Sequence, residues 1–475
     1  MGRAESRGGV SLGDVAEVRP RADAGGGRGL YALDAVGAGE VVLAEAPVVR
    51  ARVSTRAFPD VFELVEDLLM QVDRGGGSGE GEDAAAAALF VCCEVHPRTL
   101  GDVPREHRAR LWAEHEEGLA KLAERCEALP ALARGLHRVA RAAVGHDEDE
   151  EGLGFDVKGG DKEAKADVLL LFRLALGMRF NAFSSGVYPS FWYVNHGCRP
   201  NCVKLLVQGP GLHSELVATR PIAAGEEITI SYLHPPERSL GARRRALRFQ
   251  HLFDPGEEGA YEPWAEEFRG DVDSGGAEER LCALEDALEP SDLGEADPAA
   301  EASRVGSVVA QLRGMVSARH LAVIRGERRV SELLDEVPGP PSADVALAML
   351  RATAHALDGV SLLHGRDHLD LANLHGRAAD ALRELLAARD PRLFSLAADM
   401  HGPQGMHEQG VHGAGLATQV PGLPDPPPPP PLPNGQPRPP PPARYATASA
   451  AAKAERAHRL EADRLRALYR QTGRT

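Results

Sequence analysis

Residues 179–203 read RFNAFSSGVYPSFWYVNHGCRPNCV, and residues 215–233 read ELVATRPIAAGEEITISYL. Both consist of short runs rich in Val, Ile, Tyr and Phe, broken by Gly, Pro and Asn, which is the texture of short strands joined by tight turns. Strands are expected at 203–207, 214–218 and 227–232. A second patch of the same texture lies far upstream, at 25–49, where GGGRGLYALDAVGAGEVVLAEAPVV alternates Gly clusters with Val, Leu and Tyr. Between the two patches the composition changes to helix formers, with apolar residues at helical spacing over 61–72 and 106–143. Hydrophilic runs at 75–83 and 146–165 read as loops. The β-rich material is therefore split by a helical insertion, and the fold class is α+β.

Further along, segments 278–288, 304–316, 343–357 and 369–388 each carry an apolar face, with Gly or Pro near most of their ends, and suggest a small stacked-helix domain. No fixed sequence period is strong enough to define a repeat. From 402 to 444 the composition collapses into Gly, His and Pro, including six consecutive prolines at 426–431. Such a stretch cannot bury a core and reads as extended polyproline. A plain spacer is the preferred reading, and a polyproline-binding partner of the SH3, WW or profilin kind the other. The run 445–470, rich in Ala, Arg and Glu, reads as a solvated helix.

At 475 residues the chain exceeds one ordinary hydrophobic core, so two or three domains are expected. The 43% apolar content is globular, but 51 Gly, 35 Pro and 5% aromatics show that sizeable stretches are not core. A net charge of -16 argues against direct nucleic-acid binding, which needs Lys and Arg to neutralise phosphates. It suits a basic partner such as a Lys-rich tail, although acidic balance also simply keeps proteins soluble. Six cysteines fit a reducing compartment. The first residues, MGRAESRGG, lack a signal-peptide core, so cytoplasm, nucleus or both are the expected locations. Gly2 and Ser6 match the short myristoylation pattern. No apolar run is long enough to span a membrane, and Arg173 interrupts the one at 168–176.

Three clusters carry the chemistry: Gly27-Arg28-Gly29-Leu30, then Asn195-His196-Gly197-Cys198-Arg199-Pro200-Asn201, then Gly225 to Tyr232, GEEITISY. Singly, each has an ordinary reading. A GxG turn is common, an Asn-His pair can be a capped turn with a buried histidine, and GEE can end a loop before a strand. Asn181 can be a turn residue and Tyr232 an interior aromatic. Cys198 and Cys202 are read as small apolar side chains rather than zinc ligands, because a zinc site needs about four N or S donors.

With these three clusters in this order, the chain resembles the SET-domain lysine methyltransferases, particularly the SET and MYND (SMYD) branch. The resemblance is close over about 25–50 and 175–250 and loose over 276–395. It implies a SET-domain β fold in which the Asn-His segment and the chain ending in Ser-Tyr pass through one another as a pseudoknot. It also implies a helical insertion and a C-terminal all-α, tetratricopeptide-like domain. The segments become 1–50 and 175–253 for the SET core, 51–174 for the insertion, 254–275 for an acidic linker, and 276–400 for the helical domain. A Pro/Gly-rich linker at 401–444 and a final helix at 445–475 follow.

By the same resemblance the cofactor is S-adenosyl-L-methionine and the partner a protein substrate with a reactive lysine, such as a histone tail. Arg28 and Gly29 would touch the methionine end of the cofactor through backbone groups. Asn181 and Phe183, of the N-[SA]-F element, would help hold it, and Asn195 and His196 would bind it more directly. Tyr232 would be the catalytic tyrosine where cofactor and lysine meet, acting as an orienting hydroxyl and wall. Tyr188, Tyr193, Phe249 and Phe253 would line the substrate channel.

The sequence departs from the branch in two places. No MYND zinc module is recognisable, since the insertion offers only Cys92, Cys93, His96 and Cys126. The segment RRRALRFQHLFDPGEEG after Tyr232 lacks the C-x-C-x-x-C of a post-SET module, so no metal site is expected. Phe249, Phe253 or Trp264 would then have to close the lysine channel, or water enters it. The alternative function is a catalytically weak SET scaffold that binds proteins through its helices and proline tract. A hydrolase using His196 or Cys198 lacks an oxyanion-hole turn and a third partner.

Overall fold

The computed structural model describes residues 15–20, 27–51, 60–74, 88, 92, 96–142, 162–207, 212–233, 236–256, 268, 274–289, 297–364, 368–390, 392–393 and 448–470. The proline tract, Gly2, Ser6, Cys93 and Trp264 lie outside them, as does most of the expected acidic linker. The chain divides into two compact units, one of Met1–Ile230 with Ala246–Asp254, the other of Ser231–Arg245 with Pro255–Thr475. The expected segment 175–253 is thus shared between the two.

The first unit holds three small sheets. Strands β1 Ala16–Pro20, β2 Arg28–Ala32, β7 Asn195–His196 and β10 Glu227–Ile230 form one sheet in the order β1-β2-β10-β7. β10 runs antiparallel to β2, with Ile228 opposite Leu30, and parallel to β7, with Thr229 opposite Asn195. The third motif is therefore inserted between the first two, the pairing on which the expected crossing of these segments depends. β3 Val41–Glu45, β9 His213–Ala218 and β8 Cys202–Val207 form the second sheet. β4 Val49–Arg50, β6 Gly186–Val187 and β5 Ala182–Phe183 form the third. The strands expected at 203–207, 214–218 and 227–232 are present with shifts of one or two residues at their ends.

The insertion is helical, with α1 Val61–Arg74, α2 Arg105–Ala128, α3 Pro130–Ala142 and α4 Lys162–Asn181. α1 buries Leu64, Val65, Leu68, Leu69 and Val72, a single apolar stripe. The one helical run expected over 106–143 is two helices, because Pro130 has no N–H to continue α2 and instead opens α3. α4 buries Leu169 and residues 171–178, and its Arg173 donates to the carbonyls of Arg98 at 3.1 Å and Cys92 at 2.9 Å. α3 lies so close to α1 that a Cβ on Gly135 would fall 2.2 Å from the Leu69 carbonyl oxygen.

The second unit contains α6 Ser274–Asp286, α7 Pro298–Met315, α8 Leu321–Asp335, α9 Ala343–His364, α10 Asp370–Ala388 and α11 Ala448–Arg470. The sequence reading missed α8. The remaining helix, α5 Leu240–His251, contributes residues to both units. From α6 onward each helix packs on the next, as in stacked-helix domains. α7 starts at Asp297, whose carboxylate accepts from the N–H groups of Ala299 and Ala300, with Pro298 following. The final helix differs from the solvated one expected. Ala451, Ala462 and Leu465 are fully buried, and His458 meets His375 of α10 with the two Nδ1 atoms 2.7 Å apart. Small Ala side chains let α11 approach α10 closely while leaving its charges outside.

A buried ionic cluster fixes residues 236–239 within this second unit. Glu237 is fully buried, and its Oε1 lies 3.3 Å from both Arg328 Nη1 of α8 and His364 Nε2 of α9. Arg328 also donates to Asp370 at 2.8 Å. Burial works to raise the Glu237 pKa, but Arg328 and His364 outweigh it and hold the carboxyl ionised below its usual range. Nearby, Glu285 of α6 accepts the backbone N–H of Ser239 at 2.8 Å.

Replacing Gly135 with Ala forces α3 away from α1 and should cost roughly 1–3 kcal/mol, because backbone rather than a flexible side chain blocks the new methyl. Urea unfolding of the full chain measures it, and an unchanged midpoint would show that the contact between these helices is looser than described.

Candidate functional site

The site is built around β10. Asn195 donates through Nδ2 to the carbonyl of Arg28 at 2.9 Å and to Glu227 Oε1 at 2.7 Å, so one side chain ties all three motifs together. Its Oδ1 accepts from no described residue. Gly29 makes this possible: a Cβ there would lie 2.6 Å from Glu227 Oε1 and 3.1 Å from Asn195 Nδ2. Arg28 in turn lies over the ring of Tyr193, 5.0 Å from its centroid.

A second asparagine, Asn201, also holds β10. It is buried, accepts the N–H of Thr229 at 2.8 Å, and donates to the Glu227 carbonyl at 2.8 Å and Glu226 Oε1 at 3.0 Å. Its own carbonyl receives the N–H of Thr219 at 2.9 Å. Sequence reasoning quoted Asn201 without giving it a role, and gave none to Glu227. The signal available was a second Asn at the end of the same turn.

His196 stands on β7 beside Ile230. Its ring lies 5.9 Å from that of Phe253, and its Nε2 is 3.3 Å from Cys198 Sγ. Phe253 is thereby brought to the motif strands. Phe249 instead carries Arg110 of α2 over its ring at 4.3 Å and remains 54% exposed, a position against the insertion rather than in a closed wall. Cys202 is buried, which pushes its thiol up to about 12 and leaves it unreactive.

The N-[SA]-F element spans the end of α4 and strand β5. Asn181 ends α4 and donates to the carbonyls of His96 at 2.6 Å and Gly177 at 2.8 Å, so its amide hydrogens are spent fixing the turn. Phe183 meets Phe191 edge to face at 5.9 Å and Tyr188 at 5.9 Å, while Tyr188 and Phe191 stack at 5.1 Å. Tyr188 is wholly buried, and its hydroxyl shares a 2.8 Å hydrogen bond with Ser185. Lys204 of β8 points into this cluster, donating to Ser185 Oγ at 3.1 Å. Glu45 of β3 caps the turn of 3-10 helix Pro189–Tyr193 that carries Phe191, accepting from Ser190 N at 3.0 Å and Ser190 Oγ at 3.1 Å.

Tyr232 lies two residues beyond the end of β10, half-buried, in the second unit. Among the described residues no group of three or more His, Cys, Asp or Glu side chains is arranged to hold a metal ion, and no helix is long and apolar enough to cross a membrane.

The family model for the SET domain matches residues 27–233, which contain β2 through Tyr232. The chain is 34% identical over 140 residues to histone-lysine N-methyltransferase SMYD3 of Mus musculus, covering 29% of this chain and 31% of that one. It is 45% identical over 69 residues to the Homo sapiens SMYD3, 14% of this chain and 15% of that one. With Mus musculus Smyd1 it shares 34% identity over 96 residues, 18% and 19% respectively. The matched stretches span a third or less of these relatives.

Burial raises the Glu45 pKa from 4.5 to about 7, with the Ser190 hydrogen bonds opposing it. The folded protein therefore holds this proton more tightly than the unfolded chain. That stabilisation is complete below the unfolded value and is lost as the pH rises to about 7. Glu45→Gln cannot ionise, so relative to the unaltered protein it should gain more than about 1 kcal/mol of stability between roughly pH 5 and pH 8. Urea unfolding at the two pH values checks this, and parallel curves would mean that Glu45 is solvated.

Proposed function

We propose that this chain, whose residues 27–233 are a SET domain similar to that of the SMYD histone-lysine methyltransferases, transfers methyl groups from S-adenosylmethionine to the side-chain amine of lysine in a protein substrate. The observation that carries the reading is the single Asn195 side chain joining Arg28 of β2 and Glu227 of β10, which lie on adjacent strands. The printed names of the relatives, together with the acidic balance of -16, favour a basic substrate such as a histone tail.

The residues present fit the cofactor. Both amide hydrogens of Asn195 are engaged, which fixes the side chain and leaves Oδ1 to accept from an ammonium group, as the methionine end carries. Gly29 keeps the β2 backbone accessible beside it, and His196 would present backbone groups to the adenine edge. Asn181, with its amide spent on His96 and Gly177, would act by placing Phe183 rather than by contact. When bound, S-adenosylmethionine supplies a methyl group on a positively charged sulfur.

The chain's own contribution is alignment and dryness. A lysine has a reference pKa of about 10.4, and only its neutral amine carries the lone pair that attacks. Apolar walls favour that form. Tyr193 and Phe253, set beside Arg28 and His196, are the wall residues this geometry favours. Tyr188 supports the wall from within, and Phe249 stands at its outer edge. The Tyr232 hydroxyl orients the incoming amine so that nitrogen, carbon and sulfur lie in line, an arrangement worth on the order of 7 kcal/mol.

Calorimetry with the full chain and S-adenosylmethionine tests the reading. Asn195→Ala should weaken binding by about tenfold or more, roughly 1.4 kcal/mol. Tyr232→Phe should bind the cofactor as before but lose transfer of labelled methyl to histones or to proteins of a whole-cell extract. No heat of binding with the unaltered chain would leave a protein-binding scaffold instead of an enzyme.

A further inference from the structure

Lys204 is placed unlike a surface lysine. A lysine covering apolar surface with its stem ordinarily turns its ammonium out to water. Here Nζ points inward, 4.9 Å from the centroid of the Phe183 ring and 5.0 Å from that of Tyr188, and its hydrogen bond goes to the buried Ser185 hydroxyl. Among the described residues no carboxylate lies within ion-pair distance of it. The strand position itself is ordinary, since Lys204 pairs with Leu216 in the regular β8–β9 ladder.

We propose that Lys204 is a methyl acceptor of this protein's own reaction, its amine held in cis against Phe183 and Tyr188. The proposal rests on the methyltransferase reading above, in which Phe183 belongs to the cofactor-holding element and Tyr188 to the channel wall. Two aromatic faces and one hydroxyl, without a counter-charge, are the surroundings an acceptor amine needs: they tolerate a cation, and they do not trap it as an ion pair does. Burial lowers the Lys204 pKa from 10.5 to about 8, which increases the neutral fraction near neutrality by roughly two orders of magnitude.

The step balances. Lys204 gives one proton to water, and the freed lone pair then forms a bond to the methyl carbon. The bond between that carbon and sulfur breaks, with its electron pair staying on sulfur. Nitrogen ends as a methylated ammonium and the sulfonium as a neutral thioether.

Two measurements on the full chain decide it. In the first, the protein is incubated with methyl-labelled S-adenosylmethionine, digested and mapped by mass spectrometry. Label on Lys204 is expected, at a rate per molecule that does not change on dilution, and Lys204→Arg should abolish label at that peptide. Dilution-dependent labelling would overturn transfer in cis. Label on added histones or other lysines, with Lys204 unmodified, would overturn the proposal while leaving the methyltransferase reading intact.

The second measurement needs no turnover. Calorimetry compares S-adenosylmethionine with its demethylated thioether, S-adenosylhomocysteine, on the unaltered chain and on Lys204→Met. Removing a cation beside the transferable methyl should improve binding of the charged sulfonium relative to the thioether. An unchanged ratio would put Lys204 away from that methyl and sink the idea. Absence of binding by either compound removes both this inference and the reading it rests on.

Discussion

Two asparagine side chains hold the site together. β10 pairs over only two residues with β2 and two with β7, too few ladder bonds to fix a strand by themselves. Asn195 and Asn201 supply the missing attachment along its first residues, together meeting the Arg28 and Glu227 carbonyls, the Glu226 and Glu227 carboxylates and the Thr229 N–H. An unmet buried polar group costs about 1–3 kcal/mol, so each amide is stabilising chiefly through what would be orphaned without it. This explains why three motifs, the first of them 167 residues before Asn195 and the third 32 residues after it, can define one compact place.

The insertion supports this place without contributing to it directly. Asn181 closes the end of α4 on the His96 carbonyl, and Arg173 draws the Arg98 and Cys92 carbonyls onto the same helix. The corner that carries Phe183 is therefore braced by backbone acceptors from the stretch before α2. On the other side, Glu45 fixes the turn bearing Phe191, so the aromatic cluster is clamped from both ends. A lysine and a carboxylate with pKa values moved toward neutrality, Lys204 at about 8 and Glu45 at about 7, sit at this clamp because little water reaches it.

The sheet-forming segments and the split between them were legible because alternation and turn residues act locally. Of the helices of the insertion, α1 was legible and α2 with α3 read as one run that Pro130 divides, whereas α4 was not singled out and its start at Lys162 falls in a hydrophilic run that reads as a loop. α8 was not, and the reason is physical: its inward face includes Arg325, Glu327 and Arg328, paired with Glu289, Arg313 and Glu237, so charges stand where a pattern search expects apolar residues. Burial of α11 was hidden for the opposite reason, because Ala contributes little to a hydrophobic pattern yet packs closely. At the site, motif residues could be named from sequence, but the partners of Asn195 and Asn201 and the inward turn of Lys204 depend on contacts between distant segments. The contact of Phe249 with Arg110 is likewise an attraction with no local signature.

Glu237 ties the evolution of two regions together. The carboxylate has Arg328 and His364 around Oε1, while Oε2 meets no hydrogen-bond donor among the described residues, so its charge is tolerable only with those partners present. Losing the guanidinium leaves the buried acid with His364 alone, whereas losing the acid leaves Arg328 its ion pairs with Asp370 and Glu332. Drift at Arg328 is therefore constrained by Glu237. A recombination that exchanged the helical domain between relatives without carrying residues 231–245 along would inherit half of a charge pair, which makes this short segment the heritable partner of the helices rather than of the strands that precede it.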